Sequence, residues 1–331
     1  MSFRLIFLLL ITTALFGCEL DLEVPFPKHE AKLVVNSYLT EDDDIRVFLT
    51  RSYGLLDDIN ENDLWIEDAT VTIKEDGVEK GSLAYRDTTF TDSIYSYPPK
   101  SFRYAQYSQE GLRPVPGKVY SLEVSHPDYG TVTSETKMPN QTKLIDIEYN
   151  LNFEVNRWTQ PDGTVYINRR ATVDFEVEDP GDEENYYYFE LWVAYTMPSF
   201  PEDTFYSQVY MTHNAYRDVE GYWVGDDIPT PDTDFNGGKG KIRTLAYFPF
   251  GNGREDLVEN AELLGLEVKA SSVSKELYDY KQKYSQQKEF QLDGVESALI
   301  PNEPVSVPSN IEGGYGIFAG SNTATFLFDP K

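Results

Sequence analysis

Cysteine and histidine, the side chains that carry much of enzyme chemistry, are sparse: this sequence of 331 residues has one cysteine and three histidines. His29, His126 and His213 lie too far apart for a metal-binding motif, and neither H-E-x-x-H nor G-x-S-x-G occurs. The 56 acidic residues are so numerous that any pair of them says little about acid–base catalysis. The sequence therefore predicts a protein that is not an enzyme and has no catalytic residues, cofactor or bound metal.

Two short motifs partly match ligand-binding loops. Residues 314–319 (GYGIFA) fit G-x-G-x-x-A, but a dinucleotide site needs a following helix, so glycines in a tight turn beside a strand explain them better. Residues 232–237 (DTDFNG) match the first half of an EF-hand loop, whose twelfth position is here Arg243 instead of a glutamate. An Asx-rich turn is the favoured interpretation, with a calcium loop of another kind as the alternative.

Cys18 is the residue with the clearest predicted role, the attachment of a lipid. It follows Gly17 and an uncharged stretch, residues 5–16 (LIFLLLITTALF), which begins just after Arg4. As a helix this stretch would span about 18 Å, too short for the roughly 30 Å core of a membrane, so residues 1–17 are expected to be a signal peptide. The end of the stretch resembles a bacterial lipobox, in which cleavage precedes a lipid-bearing cysteine. The alternative is an ordinary signal peptide beside an incidental cysteine.

Residues 18–30 are predicted to form an extended tether between the lipid and the folded protein. Pro25 and Pro27 favour extended backbone, and the residues after Cys18 (ELDLE) are acidic. Acidic residues in this place resemble the surface-export signal of Bacteroidetes lipoproteins, although a solvated linker would have the same composition. We therefore expect a lipid-anchored protein of the outer membrane that faces the cell surface.

The net charge of −28 limits the classes of partner. A surface of this charge repels phosphate backbones and anionic lipid headgroups, so nucleic-acid binding is excluded and the membrane is expected to be reached through the lipid anchor only. The chain also has 24 tyrosines and 19 phenylalanines. Tyrosine joins apolar area to a polar tip, which suits β-sheet surfaces and also contacts with carbohydrate or peptide.

The hydrophobic pattern predicts a mainly β fold. Apolar residues alternate in residues 69–74, 120–124 and 171–177, and Gly, Pro and Asp clusters separate the short runs. The expected architecture is an N-terminal immunoglobulin-like antiparallel β-sandwich over residues 31–139, followed by a second β-rich domain over residues 140–331. One helix is predicted in the second domain near residues 274–287, with Ser272 or Ser274 as its N-cap.

The aromatic segment 95–107 (YSYPPKSFRYAQY) is the predicted contact loop, with Tyr97, Phe102 and Tyr104 as its contact residues. The alternative is an ordinary hairpin loop that packs against its own sandwich.

Several segments together resemble one family of Bacteroidetes outer-membrane lipoproteins, catalogued as domain of unknown function 4249. They are residues 32–40 (KLVVNSYLT), 69–73 (ATVTI), 116–122 (PGKVYSL), 302–305 (NEPV) and 309–318 (SNIEGGYGIF). The resemblance implies a β-rich fold with an immunoglobulin-like N-terminal part, an outer-membrane lipid anchor and genes that lie beside TonB-dependent receptors. It assigns no catalytic residues.

The function that this resemblance implies is a non-catalytic accessory or ligand-binding partner of a TonB-dependent transporter in nutrient uptake. The alternative is a structural or adhesive protein of the cell envelope, for which the same anchor and sandwich would suffice.

Overall fold

The computed structural model describes residues 28–54, 57–59, 64–92, 100–181, 183–213, 228–232, 237–249, 253–292 and 306–329. Within these residues the fold is mainly β, which confirms the predicted fold class. The lipid-attachment residue Cys18 and the signal peptide lie outside the described residues. None of the described helices is long and apolar enough to cross a membrane.

Seven strands make up the described part of the N-terminal region. They are β1 (Leu33–Thr40), β2 (Arg46–Arg51), β3 (Thr70–Glu75), β4 (Val78–Asp92), β5 (Lys100–Ser108), β6 (Val119–His126) and β7 (Gly130–Lys137). Their order in the sheet is β1-β2-β5-β4-β3-β6-β7. The turn between β3 and β4 consists of Asp76 and Gly77, both with positive φ, as a two-residue hairpin turn requires.

This region folds into two layers because β4 belongs to both. Its first part pairs with β3 and its second part with β5. Alternate residues of the strands point inwards, and residues from both layers form one core that includes Val35, Leu49, Ile73 and Leu122. Burial of these apolar side chains, each stabilising the fold by about 1.5–3 kcal/mol, holds the layers together.

The remaining elements form the second region and the strand that returns to the first. They are β8 (Lys143–Thr159), β9 (Val165–Glu178), β10 (Tyr186–Met197), β11 (Phe200–Gln208), β12 (Tyr210–His213), β13 (Ile228–Pro231), β14 (Lys239–Tyr247), β15 (Gly253–Arg254), α1 (Glu255–Val258), β16 (Glu262–Val273), α2 (Lys275–Leu292) and β17 (Tyr315–Phe328). The sheet β12-β14-β9-β15, with β8 beside β9, shares a core with β10 and β16. At the centre of that core the rings of Phe175 and Phe189 stack with centroids 5.7 Å apart.

The last strand, β17, belongs to both regions. It runs parallel to β1 at its start and antiparallel to β16 further on, so β11-β10-β16-β17 continue into the N-terminal sheet. The parallel pair departs from the expected purely antiparallel sandwich. Gly316 permits it: its φ is 107°, and a Cβ atom there would lie 1.9 Å from the carbonyl oxygen of Val35. The division at residue 139 stays a prediction, and it does not describe this shared strand.

Helix α2 covers the residues predicted to be helical and continues to Leu292. Leu277 packs on Tyr188, Ile317 and their neighbours on the outer face of β10 and β17. Ser274 precedes the helix, but its hydroxyl accepts the backbone N–H of Gly320 at 3.3 Å and so ties β17 to the helix start. A second, one-turn helix, α1, was not expected from the sequence.

Candidate functional site

The structure describes only part of the predicted contact loop. Tyr97 lies outside the described residues, whereas Phe102 and Tyr104 lie in β5. The expectation of a loop was therefore wrong for residues 100–107, which pair with β4 along their whole length. Tyr104 is 43% exposed on the outer face of this strand.

Tyr104 is one member of an aromatic group on the outer face of the N-terminal sheet. Its ring meets the ring of Phe48 edge-on, with centroids 5.4 Å apart, and that of Trp65 at 6.2 Å. The backbone of Trp65 forms an isolated β-bridge with Thr50. Its indole N–H donates to the carbonyl oxygen of Arg103 at 3.1 Å, and together these contacts fix the side chain. These side chains point outwards because their neighbours in the strands fill the core.

Three tyrosines form a second group beside the first. Tyr38 projects outwards from β1, next to Tyr280 and Tyr284 on α2, whose rings stack with centroids 6.0 Å apart. Burial, followed by the presence of Tyr280 and Tyr284, raises the pKa of Tyr38 to about 12, so its hydroxyl stays protonated at neutral pH.

The two groups form one surface, which we call the aromatic band: Trp65, Tyr104, Phe48, Tyr38, Tyr280 and Tyr284. Phe48 pairs with Asn36 across β1 and β2, so Tyr38, two residues on, is its diagonal neighbour on the same face. Diagonal neighbours lie within reach of aromatic side chains. Tyr38 and Tyr284 are 43% and 51% exposed, so the band presents apolar ring area together with hydroxyl groups to solvent.

Trp65 also borders a cleft of about 510 Å³, which we call the Trp65 cleft. Its lining residues are Trp65, Ile66, Glu67, Asp68, Arg103, His126, Asp128 and Tyr129. The volume falls within the range of small-ligand sites, about 300–1,000 Å³. Residues 65–68 form one wall of the cleft. The buried Tyr107 supports this wall from the core side: its hydroxyl donates to Ile66 O at 3.0 Å and accepts from Ala69 N at 3.1 Å.

His126 is held in the cleft by hydrogen bonds to both of its ring nitrogens. Its Nδ1 accepts the backbone N–H of Asp128 at 3.0 Å, so its proton lies on Nε2, which donates to Asp68 Oδ1 at 2.7 Å. The ring is almost fully buried and packs against the ring of Tyr129 at a tilt of 33°, with centroids 4.8 Å apart. Because both ring nitrogens are engaged, His126 has no free lone pair with which to act as a general base.

The guanidinium of Arg103 is also engaged. It donates to Glu67 at 2.6 Å, to Asp87 at 2.9 and 3.1 Å and to the hydroxyl of Tyr85 at 2.7 Å. The carboxylates of Glu67 and Asp87 raise the pKa of Arg103, which stays charged. Arg103 therefore fixes the wall of the cleft through its Nε and Nη2 atoms.

Sequence reasoning missed the cleft because its residues come from three separate segments. Asp68 and His126 are 58 positions apart, and neither lies in a motif. Tyr104 was found through the aromatic composition of its segment, but the same signal did not extend to Phe48 or Trp65.

The EF-hand-like motif contributes to a turn where the structure describes it. The carboxylate of Asp232 accepts the backbone N–H of Asn185 at 2.8 Å, while residues 233–236 lie outside the described part. Burial, followed by the nearby charge of Asp179, raises the pKa of Asp232. Within the described residues, no group of three or more His, Cys, Asp or Glu side chains could hold a metal ion.

The comparisons with known proteins give one clear match. Among curated proteins none matches the chain. A solved structure titled "Biofilm associated protein - B domain" has 7% sequence identity to this chain, with 89% of this chain and 85% of that chain covered. Its TM-score of 0.14 is too low to indicate a shared fold. Residues 19–326 match the family described as "Domain of unknown function (DUF4249)", and the chain therefore belongs to this family.

Proposed function

We propose that the protein is a lipid-anchored protein of the bacterial outer membrane, attached through Cys18 and facing the cell surface. In this proposal it acts without catalysis, as an accessory or ligand-binding partner of a TonB-dependent transporter in nutrient uptake. The lipobox-like sequence before Cys18 supports the anchor, and the resemblance to Bacteroidetes lipoproteins supports the partner.

The aromatic band is the observation that carries the binding role. Exposed contiguous aromatic surface is costly in water and is characteristic of contact surfaces, where tyrosine and tryptophan contribute most of the binding energy. Except for Trp65, which is held by a β-bridge to Thr50, the band lies on strands and on α2, so its side chains are positioned before a partner arrives and lose little conformational freedom on binding.

The first experiment isolates the partner. The protein, tagged and expressed at its native level, is purified from solubilised outer membranes, and we expect a TonB-dependent receptor to be recovered with it. The triple variant Tyr38→Ser, Tyr104→Ser, Tyr284→Ser should reduce that recovery by at least about tenfold, because exposed aromatic anchors dominate such interfaces. Tyr210→Ser is the matched control, since Tyr210 is 52% exposed and lies in the second region.

Two results would contradict this proposal. One is that no receptor is recovered with the wild type, and the other is that the triple variant, folded as judged by circular dichroism, recovers as much as the control. A separate test addresses the anchor: protease treatment of intact cells should remove the wild-type protein, and Cys18→Ala should release it from membranes.

A further inference from the structure

The Trp65 cleft is lined by exposed carboxylates and by two aromatic residues, Trp65 and Tyr129. Asp68 gives one carboxylate oxygen to His126, yet its side chain is 73% exposed. Glu67 gives one oxygen to Arg103 and is 55% exposed. Several donors of the lining side chains are used within the protein: His126 donates to Asp68, Nε and Nη2 of Arg103 donate to Asp87 and Glu67, and Trp65 donates to a backbone carbonyl.

The charge of the cleft has the same sign as that of the whole chain. Its lining carries the three carboxylates of Glu67, Asp68 and Asp128 and one guanidinium, that of Arg103. Arg51 is a second cation beside the cleft: its guanidinium lies over the ring of Tyr53 at 4.5 Å and interacts with the hydroxyl of Tyr129, although Arg51 is not itself a lining residue. A negative cleft in a protein of net charge −28 attracts cations and repels anions.

Aromatic rings in the lining suit a cation with an apolar stem. Trp65 and Tyr129 both border the cleft, and the face of a tryptophan ring is the best partner for an ammonium or guanidinium group. The chain uses this interaction elsewhere: Lys269 lies over Trp192 at 4.5 Å and Lys281 over Tyr188 at 4.3 Å.

We propose that the Trp65 cleft binds the positively charged side chain of a peptide, an arginine or a lysine, with the charge against Asp68 and Asp128 and the stem against Trp65. The volume of about 510 Å³ accommodates such a side chain together with its flanking backbone. This inference rests on the proposed function and names its substrate class: the nutrient that the protein collects is a cationic peptide.

The test compares two probes of nearly the same shape, the cationic N-acetyl-arginine amide and its uncharged isostere N-acetyl-citrulline amide. Binding to the full-length protein in detergent is measured by ligand-observed NMR at about 50 mM salt, where screening is weak. We expect the arginine probe to bind at least about fivefold more tightly than the citrulline probe, and its affinity to fall as salt is raised.

The test variant is the double substitution Asp68→Asn with Asp128→Asn. The control is Asp42→Asn, an aspartate that is also exposed but lies outside the cleft. The double variant should weaken the arginine probe by at least about fivefold, and the control should leave it unchanged. Equal binding of the two probes, no binding to the wild type, or equal effects of the two variants would each overturn the inference. Recovery of the receptor is measured on the same variants and should not change, so failure of the ligand assignment is separable from failure of the proposed function.

Discussion

Two groups of acidic side chains, one in each region, are built from the same residue types and differ in burial. In the Trp65 cleft, Asp68 is 73% exposed and gives one oxygen to His126. In the second region, Asp179 and Asp232 are only 4% and 2% exposed. Asp179 accepts from the hydroxyl of Tyr187 and from the N–H of Gly237, and Asp232 accepts from the N–H of Asn185.

The difference in burial distinguishes a carboxylate that can bind a ligand from a carboxylate that stabilises the fold. A carboxylate that water can reach keeps capacity for a ligand, whereas a buried carboxylate must use its oxygens on the chain, because an unpaired buried charge is strongly unfavourable. Asp179 and Asp232 therefore link the turn after β9 to the ends of β13 and β14 by hydrogen bonds. The predictions below test this contrast.

The largest effect is expected from Asp179→Ala. This change removes the carboxylate that accepts from the buried hydroxyl of Tyr187 and from the N–H of Gly237, and it should lower the free energy of unfolding by about 2–4 kcal/mol. Urea denaturation followed by circular dichroism measures it. A loss no greater than that of Asp68→Ala would contradict the structural role.

Tyr107→Phe should have an intermediate effect. It removes the hydroxyl that joins Ile66 to Ala69 behind the wall of the cleft, which should reduce the free energy of unfolding by about 1–2 kcal/mol and weaken the arginine probe as well. Tyr210→Phe, an exposed residue of the second region, is the control for both measurements. If Tyr107→Phe affects stability but leaves the probe affinity at the wild-type value, the wall does not depend on this hydroxyl.

Asp232→Asn should change how stability depends on pH. Because burial and Asp179 raise the pKa of Asp232 above its ordinary 3.8, the folded protein binds a proton that the unfolded chain has lost. Wild-type stability therefore falls as pH rises through the window between these two pKa values, and the asparagine variant lacks this fall. Urea denaturation at a series of pH values should show the variant gaining on the wild type as pH rises from about 4. Parallel curves would contradict the raised pKa.

The smallest effect on stability is expected from Asp68→Asn. Its amide oxygen can still accept from His126, and the site faces water, so the free energy of unfolding should stay within about 0.5 kcal/mol of the wild type. The same urea denaturation measures it. A loss comparable with that of Asp179→Ala would show that the two groups do not differ in the way described.

The local features of the fold could be predicted from the sequence, because they depend on short-range patterns. The alternation of apolar residues and the Asp76–Gly77 turn predict the hairpin of β3 and β4, which the structure contains. The pairing of β1 with β17 joins Val34 to Tyr315, and no local pattern specifies a partner so far away in the chain. The sequence motif predicts a turn at Gly316, whereas in the structure this glycine lets β1 approach closely.

The candidate site was predictable only in part, for the same reason. Tyr104 could be found from its aromatic segment, although it lies in a strand. Trp65, Asp68 and His126 meet because separate segments converge, and their neighbours in sequence give no sign of it.

β17, the strand shared by the two regions, also determines how the protein resists a pulling force. β1 is the first strand after residue 28, and it is hydrogen-bonded to β2 on one side and to β17 on the other. A pull on the chain ahead of residue 28 would act along β1 and load both ladders in shear, so many hydrogen bonds resist together instead of opening one by one. Through β17 the same tension passes to β16 and the core of the second region. The fold thus gives the end of the chain nearest Cys18 its firmest mechanical attachment.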